Sequence, residues 1–498
     1  MSSHNYTTGP VTAGVLRGEK SRFQLFGDTV NTAARMESTG VAGRIQVSHA
    51  TAHYLEAQHK QHWLQRREDS VAAKGKGVLE TYWLIPKEKA SDNVSCSSTS
   101  PGDLEDTNRR DRLIDWIVTL MSDRIREVVA RNKAIRIQYD NAKELKLTRS
   151  PDSICLDETV DTIKLPKFDA KADVQAATAD HTTVHIPQIV EDQLRACVTT
   201  IANTYRDNHF HNFEHACHVT MCVDKFLKRI VAPDVDANIE HGCLASALHD
   251  YTHGINSDPL TILAILFSAL VHDADHRGVS NVQLGKEDEG LAKHYKGKSI
   301  AEQNSLDLTW DILMSDSCRD LRAFVFANKV ELQRFRQVVV NVVLATDIFD
   351  KELNDLRKNR WNRAFAEVSN DVHEFRDLRA TVVIEHIIQA SDVCHTMQHW
   401  HIYRKWNERL FLEMNEAYRQ GRMGSDPTTF WYQGELAFFD NYIIPLARKL
   451  KECRVFGVSS DECLNYAVQN RAEWESRGQA IVQQLVERAK LSDDKSKP

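Results

Sequence analysis

His272 and Asp273 stand next to each other at the end of Leu260–Val271, a run whose only polar members are Thr261 and Ser268. Burying two such side chains is costly unless a cation or a partner compensates them, so the pair reads first as metal ligands. Upstream, in HNFEHACH, His211 and His215 are four residues apart, a spacing that on a helix puts both on one face. Downstream, VVIEHIIQASD is a second apolar run ending in a carboxylate, Asp392, and VVVNVVLATDI a third, ending in Thr346 and Asp347. Imidazole with carboxylate suits zinc or another borderline cation, whereas carboxylate with water suits magnesium or manganese. An aspartate using both oxygens could bridge two such ions, and water held between them is a strong nucleophile at neutral pH. That is chemistry for phosphate esters. Each histidine taken singly is better read as a hydrogen-bonded core or surface side chain; the set is not.

The elements that must position these groups are apolar helices. Leu260–Val271 suits a core helix and is too short to cross a bilayer. Three buried helices ending in acids would converge on the floor of one pocket.

The segments FHNFEHACHV, SALVHDADHRGVSN, LATDI, QASDVCHTMQHW and FFDNYIIPL, in this order, resemble the catalytic domain of the class I cyclic nucleotide phosphodiesterases over about residues 186–480. The resemblance implies a compact all-helical domain. It makes His215, His272, Asp273 and Asp392 ligands of a zinc-like ion, with Asp273 bridging to a second ion, Mg2+ or Mn2+. It makes His211 the general acid that protonates the leaving ribose 3′ oxygen, a task suited to imidazole. His276, Glu302 and Thr346 then hold metal-bound waters and orient the ligands. Two departures stand out. His209 and Phe210 occupy positions where many members have Pro and Tyr, and Gln303, Asn304 and Ser305 follow Glu302 where many relatives place histidines.

Aligning backwards from Pro445 puts Phe438 at the family's aromatic clamp, Leu410 on the clamp's aliphatic side, and Glu435 where the purine-binding glutamine usually stands. His395 lies where relatives carry Asn or His near the base. A carboxylate only accepts hydrogen bonds. Guanine offers two adjacent donors on its Watson–Crick edge and adenine one donor beside an acceptor, so Glu435 facing the base favours cyclic GMP over cyclic AMP. The competing reading is a solvated surface acid.

Residues 1–86 tell a second story. GPVTAGVLRG reads as a turn and a strand, LFGDTVNTAARMEST as a glycine turn leading into a helix, and AAKGKGVLETYWL as a closing hairpin. Asn31 and Arg35, four apart, put an amide and a guanidinium on one helix face, a suitable pair for ribose and phosphate. The pattern resembles the second half of a class III nucleotidyl cyclase domain. That resemblance assigns ribose orientation to Asn31, transition-state stabilisation to Arg35 and triphosphate contact to Lys74 or Lys76, and it leaves the purine preference at Gln24 unreadable. The magnesium-holding aspartates of the first half have no counterpart, and MSSHNYTTGP lacks the apolar strand expected before Gly9. We therefore expect a partial α/β domain that cyclises nothing, the start being either truncated or a structural remnant.

Between the two regions, residues 87–185 read as polar linkers around one helix at 111–137. Ile114, Val118, Met121, Ile125, Val128, Asn132 and Ile135 form a heptad seam with an asparagine at a core position, the pattern of a short coiled coil that would pair two chains. Ile117, Leu120 and Val129 widen the apolar face enough for packing on the phosphodiesterase core instead, and both readings stand. Residues 481–498 read as a polar tail.

The chain of 498 residues carries a net charge of −7 with Lys and Arg scattered among the acids, so no polybasic face points to nucleic acid or an anionic membrane. Ten cysteines without a CxxC pair suit a reducing compartment. No signal peptide or membrane span is apparent, so the expected location is cytoplasmic, or the cytoplasmic face of a membrane if an upstream anchor precedes this start. The expected protein is a mainly α metallophosphodiesterase acting on a 3′,5′-cyclic nucleotide. The alternatives are another HD-type phosphohydrolase and a regulatory module that binds a cyclic nucleotide without hydrolysing it.

Overall fold

A computed structural model describes residues 4–9, 12–16, 22–26, 28–41, 44–57, 60–68, 71–73, 77–85, 101–135, 137, 140, 145–147, 153–168, 181–230, 246, 249–366, 372–456 and 461–496. The chain divides into two compact units, residues 1–99 and 100–498.

The first unit is α/β. Strands β1 (His4–Tyr6), β2 (Thr12–Leu16) and β3 (Arg22–Phe26) precede helix α1 (Asp28–Ser38), strand β4 (Ile45–Ser48) and helix α2 (His49–Ala57). Strands β5 (Leu64–Arg66), β6 (Val71–Ala73), β7 (Gly77–Leu79) and β8 (Thr81–Leu84) complete it. One sheet has the order β1-β4-β8-β5, β2 pairs with β3, and β6 pairs with β7 as the expected hairpin. The N-terminal segment does form a strand, contrary to expectation: His4–Tyr6 runs parallel to Ile45–Val47. Its pairing is backbone-made and does not need the apolar side chains whose absence argued against it.

The second unit is helical. The helices that matter below are α3 (Pro101–Ala134), α4 (Gln188–Thr204), α5 (Phe213–Arg229), α6 (Pro259–Val271) and α7 (Ile300–Met314). They are followed by α8 (Lys329–Leu344), α9 (Val372–Asp392), α10 (Trp400–Arg419), α11 (Pro427–Phe438) and α12 (Glu462–Ser496). Helix α6 starts on a strong signal, with Asp258 as N-cap accepting from the Thr261 amide and Pro259 in the first turn. Every residue from Leu260 to Val271 is buried, so α6 is apolar all round and runs through the core, with α8, α5 and α3 packed on it. Among the described residues no helix is long and apolar enough to cross a membrane.

Helix α3 resolves the two readings of its seam. Ile114, Ile117, Met121, Ile125 and Val128 are buried in the core of their own chain, against α4, α5 and α6. Asn132 donates from Nδ2 to Glu331 Oε2 of α8 at 3.2 Å, so the polar core position is satisfied intramolecularly. The wide apolar face thus finds partners within its own chain, the packing reading of the seam.

The second expected linker differs as well. Residues 153–168 lie on the core as a strap: Ile154, Cys155, Ile163 and Leu165 are buried. Buried polar side chains satisfy the strap's backbone, with Leu156 N donating to Gln303 Oε1 (3.0 Å), Val160 N to Asn341 Oδ1 (3.3 Å) and Ile163 N to Thr381 Oγ1 (2.9 Å). The expected tail boundary at 480 falls inside α12, where Ile481, Val482 and Leu485 remain buried. Because α3 belongs to the core, Ile125→Ala is expected to lower stability by about 2–5 kcal/mol in denaturant titrations and to leave the mass in solution unchanged. A loss of dimer in the variant would restore the coiled coil.

Candidate metal centre

His215 sits in the first turn of α5, wholly buried, its amide capped by Asn212 Oδ1 at 3.1 Å. His272 follows the last residue of α6 and points its Nδ1 at the Ala269 carbonyl, 3.0 Å away. A carbonyl can only accept, so Nδ1 carries the proton and the lone pair is on Nε2. That Nε2 is buried and makes no hydrogen bond, with Asp273 Oδ2 at 3.1 Å and Asp392 Oδ1 at 3.4 Å. His215 Nε2 lies 3.1 Å from Asp392 Oδ1 and 3.6 Å from Asp273 Oδ2. One donor atom from each of the four residues falls within 4.8 Å of the others, so the structure brings the expected ligand set together.

An inward-facing imidazole lone pair with nothing to accept from, beside two carboxylate oxygens and a second imidazole, is a donor set that fits a divalent ion. The electrostatics agree. With no ion between them, burial would depress the His272 imidazole, yet Asp273 and Asp392 hold it well above its ordinary value, so that a proton on Nε2 takes the place a cation would fill. Burial would likewise raise the two carboxyls, but the imidazoles hold both below the usual carboxylate range. The cluster is thus a pocket of buried negative charge that draws a cation.

His211 lies just before the Asn212 cap and is not on α5, so the expectation that His211 and His215 share a helix face is corrected: Asn212 is extended (φ −132°) in order to cap. The two imidazoles are nevertheless 6.0 Å apart, because a buried carboxylate holds the segment. Glu413 of α10 bonds His211 Nδ1 with Oε1, and its Oε2 accepts from the amides of Phe210 (2.7 Å) and His211 (2.9 Å). Burial alone would lower the His211 pKa, but Glu413 raises it to about 9, while Glu413 itself is held at about 2. The imidazolium therefore keeps its proton at neutral pH. Sequence reasoning missed Glu413. Its signal was a carboxylate seven residues after Trp406, on the face of α10 that buries Tyr403, Trp406 and Ala417.

The supporting residues are placed as follows. The His276 ring lies 3.9 Å from that of His211, accepts from the Gly278 amide (3.2 Å), and is held at about 4, chiefly by burial. Glu302 is raised to about 8, chiefly by burial and then by Asp347, and Asn281 Nδ2 bridges the two acids at 2.9 and 3.3 Å. Thr346, in the turn after α8, donates its hydroxyl to the Val343 carbonyl at 2.7 Å. The departures after Glu302 acquire structural roles: Asn304 Nδ2 donates to Asp275 Oδ2 (3.1 Å), and Ser305 Oγ to the Ala274 carbonyl (2.7 Å), bracing the turn that follows the ligand pair.

Among the residues expected to meet the base, Glu435 is buried, not a solvated surface acid. Its Oε2 accepts from the Tyr403 hydroxyl at 2.6 Å, and burial raises its pKa to about 7. Trp431 Nε1 donates to Asn407 Oδ1 (3.3 Å), and Asn407 Nδ2 to the Tyr403 oxygen (3.4 Å). Phe438 stacks on Tyr442 with centroids 5.3 Å apart, and Leu410 is half-buried. His395 is buried edge-on to Phe210 at 5.6 Å, and burial holds its pKa well below the ordinary value. In the first unit Asn31 is exposed on α1 and Arg35 lies one turn further along. The Arg35 side chain, Lys74 and Lys76 lie outside the described residues.

Residues 210–454 match the family model described as 3′5′-cyclic nucleotide phosphodiesterase, and residues 6–86 match that of the adenylate and guanylate cyclase catalytic domain. The helical unit is thus similar to a cyclic nucleotide phosphodiesterase catalytic domain over residues 210–454. A probable 3′,5′-cyclic-AMP phosphodiesterase of Caenorhabditis elegans is 27% identical over 47% of this chain and 31% of its own length. The 3′,5′-cyclic-nucleotide phosphodiesterase regA of Dictyostelium discoideum is 23% identical over 62% of this chain and 36% of its own. Retinal guanylyl cyclase 2 of Bos taurus is 48% identical over 16% of this chain and 7% of its own. The chain therefore spans about a third of its phosphodiesterase relatives and far less of the cyclase. The crystal structure of the Salpingoeca rosetta rhodopsin phosphodiesterase domain aligns with TM-score 0.45 and 20% identity over 70% of this chain and 98% of that one.

In the helical unit Asp392→Ala is expected to abolish nearly all cyclic nucleotide turnover and to reduce bound divalent metal, measured by atomic emission, with helical circular dichroism retained. Near-native activity in metal-replete buffer would remove Asp392 from the ligand set. If His211 is the proton donor, its deprotonation through about pH 9 should make kcat/KM fall on the alkaline side. Glu413→Gln should move that limb to lower pH, and an unmoved limb would mean that Glu413 does not set the acid.

Proposed function

We propose that the helical unit hydrolyses 3′,5′-cyclic nucleotides to nucleoside 5′-monophosphates, with cyclic GMP preferred over cyclic AMP. The observation that carries this reading is a charged imidazole, His211, held by Glu413 beside a cluster built to hold a cation. Two divalent ions, zinc-like among His215, His272, Asp273 and Asp392 and Mg2+ or Mn2+ beyond Asp273, would polarise the phosphate and lower the pKa of water. The protein's part is to place the ester and move a proton. His211 donates from Nε2 to the departing ribose 3′ oxygen, while Glu413 at Nδ1 keeps the ring oriented and charged.

Phe438 and Leu410 are assigned to the two sides of the base, and Glu435 to its edge. Tyr403 occupies only part of the Glu435 carboxylate, which has further lone pairs for guanine N1 and N2. Adenine supplies one donor and an N1 acceptor that an ionised carboxylate cannot satisfy. An unmatched buried polar group costs about 1–3 kcal/mol, a preference of roughly tenfold or more. His276 and Glu302 are assigned to holding water and orienting the ligands. The cyclase segment is proposed to make no cyclic nucleotide in this chain, since Asn31 and Arg35 have no accompanying magnesium aspartates; GTP or ATP cyclisation with manganese that disappears in Arg35→Ala would overturn this.

The test is turnover of both cyclic nucleotides by the whole chain, with and without chelator. Glu435→Gln is expected to narrow the gap by improving cyclic AMP; unchanged selectivity would remove Glu435 from base recognition. The raised Glu435 pKa of about 7 gives a second handle. Below it the protonated carboxyl can donate to adenine N1, so the cyclic AMP to cyclic GMP ratio of kcat/KM should rise as pH falls through about 7, and Glu435→Gln should flatten that dependence.

A further inference from the structure

Helix α5 and the segment after Asp392 carry a feature the hydrolytic reading does not use. Cys222 of α5 and Cys394, in the turn that follows α9, are both buried thiols. Their sulfurs are 2.6 Å apart, inside non-bonded contact though longer than a disulfide bond of about 2.05 Å. His218 completes the group, its Nδ1 3.6 Å from Cys394 Sγ and its ring flat against Trp406 at 5.1 Å. Gln398 Nε2 donates to Cys222 Sγ at 3.3 Å.

Three soft donors in a buried group also raise the question of a metal. Two thiolates on one zinc, with bonds of about 2.3 Å at tetrahedral angles, sit roughly 3.7 Å apart. The observed separation of 2.6 Å is too short for that and leaves the two sulfurs facing each other within reach of a bond. We propose that Cys222 and Cys394 are a redox-modification site, closing to an intrachain disulfide when the protein meets a hydroperoxide and reopening with thiol reductant.

The chemistry balances with peroxide as the oxidant. The Cys222 sulfur attacks one peroxide oxygen and breaks the O–O bond, and its thiol proton leaves with the other oxygen as water (from hydrogen peroxide). The Cys394 sulfur then displaces the sulfenic hydroxyl, which departs with the Cys394 proton, passed through the neighbouring His218 ring, as a second water. Two thiols are oxidised by two electrons and the peroxide is reduced by two. A thiol reductant reverses the bond by exchange.

The site's position gives the bond a consequence. Cys222 lies seven residues after His215 on the same helix, and Cys394 two residues after Asp392, so the cross-link would tie together the segments bearing two of the proposed ligands. It would also close a long loop, the case in which a disulfide restricts the unfolded chain most.

The whole chain is exposed to hydrogen peroxide or to dithiothreitol, denatured, alkylated and mapped by mass spectrometry. A peptide pair linking Cys222 to Cys394, two hydrogens lighter than the thiols and lost on reduction, is expected after peroxide. A higher Tm of the oxidised chain should accompany it and be absent in both Cys222→Ala and Cys394→Ala. Full alkylation of both cysteines after peroxide overturns the proposal, as does a zinc ion per chain that is lost in Cys222→Ala. Because the readout is a mass and not a turnover, this outcome is independent of the phosphodiesterase reading.

Discussion

Two carboxylates and two imidazoles buried at the ends of apolar helices form the constraint on which the helical unit depends. Taking ionised groups out of water is unfavourable by several kcal/mol each unless they are matched. Here Asp273 and Asp392 are matched by His215 and His272 at 3.1–3.6 Å, an arrangement in which a cation would serve better than protons. The groups can converge only if the helices carrying them cannot drift. Helix α6, apolar on every side and locked among α3, α5 and α8, meets that need.

The surrounding polar residues extend the same logic outward. Each buried acid near the centre has a fixed partner: Glu413 has His211 and two amides, and Asp347 has Ser299 and Asn281. Residues that depart from the family's usual sequence are used structurally. Gln303 holds the strap at Leu156, and Asn304 and Ser305 brace the residues after Asp273. The metal centre is thus backed by hydrogen bonds that reach from the strap to α7 and α10.

Glu435 sits in a different kind of environment. It is bonded to an uncharged hydroxyl, and burial moves its pKa toward neutrality where salt-bridged acids move downward. A residue in that state can serve as donor or acceptor according to pH, which a glutamine achieves only by turning its amide.

Sequence alone determined the apolar helices and the division into a small α/β unit and a large helical one, and it named the residues proposed as ligands and His211 as the proposed acid. These are local signals: donor types at helix ends, apolar periodicity, and ordered motifs. Tertiary structure decided what depends on partners distant in sequence. It gave Glu413 its role, because an acid on an amphipathic helix shows its function only when the opposing imidazole is known. It turned the seam of α3 inward, since a heptad pattern records an apolar face and not whose surface covers it. It converted a polar stretch into a strap, since scattered apolar residues such as Cys155 and Ile163 have no period to betray them. It also brought Cys222 to Cys394 across 172 positions of chain, a proximity that folding creates and no spacing announces.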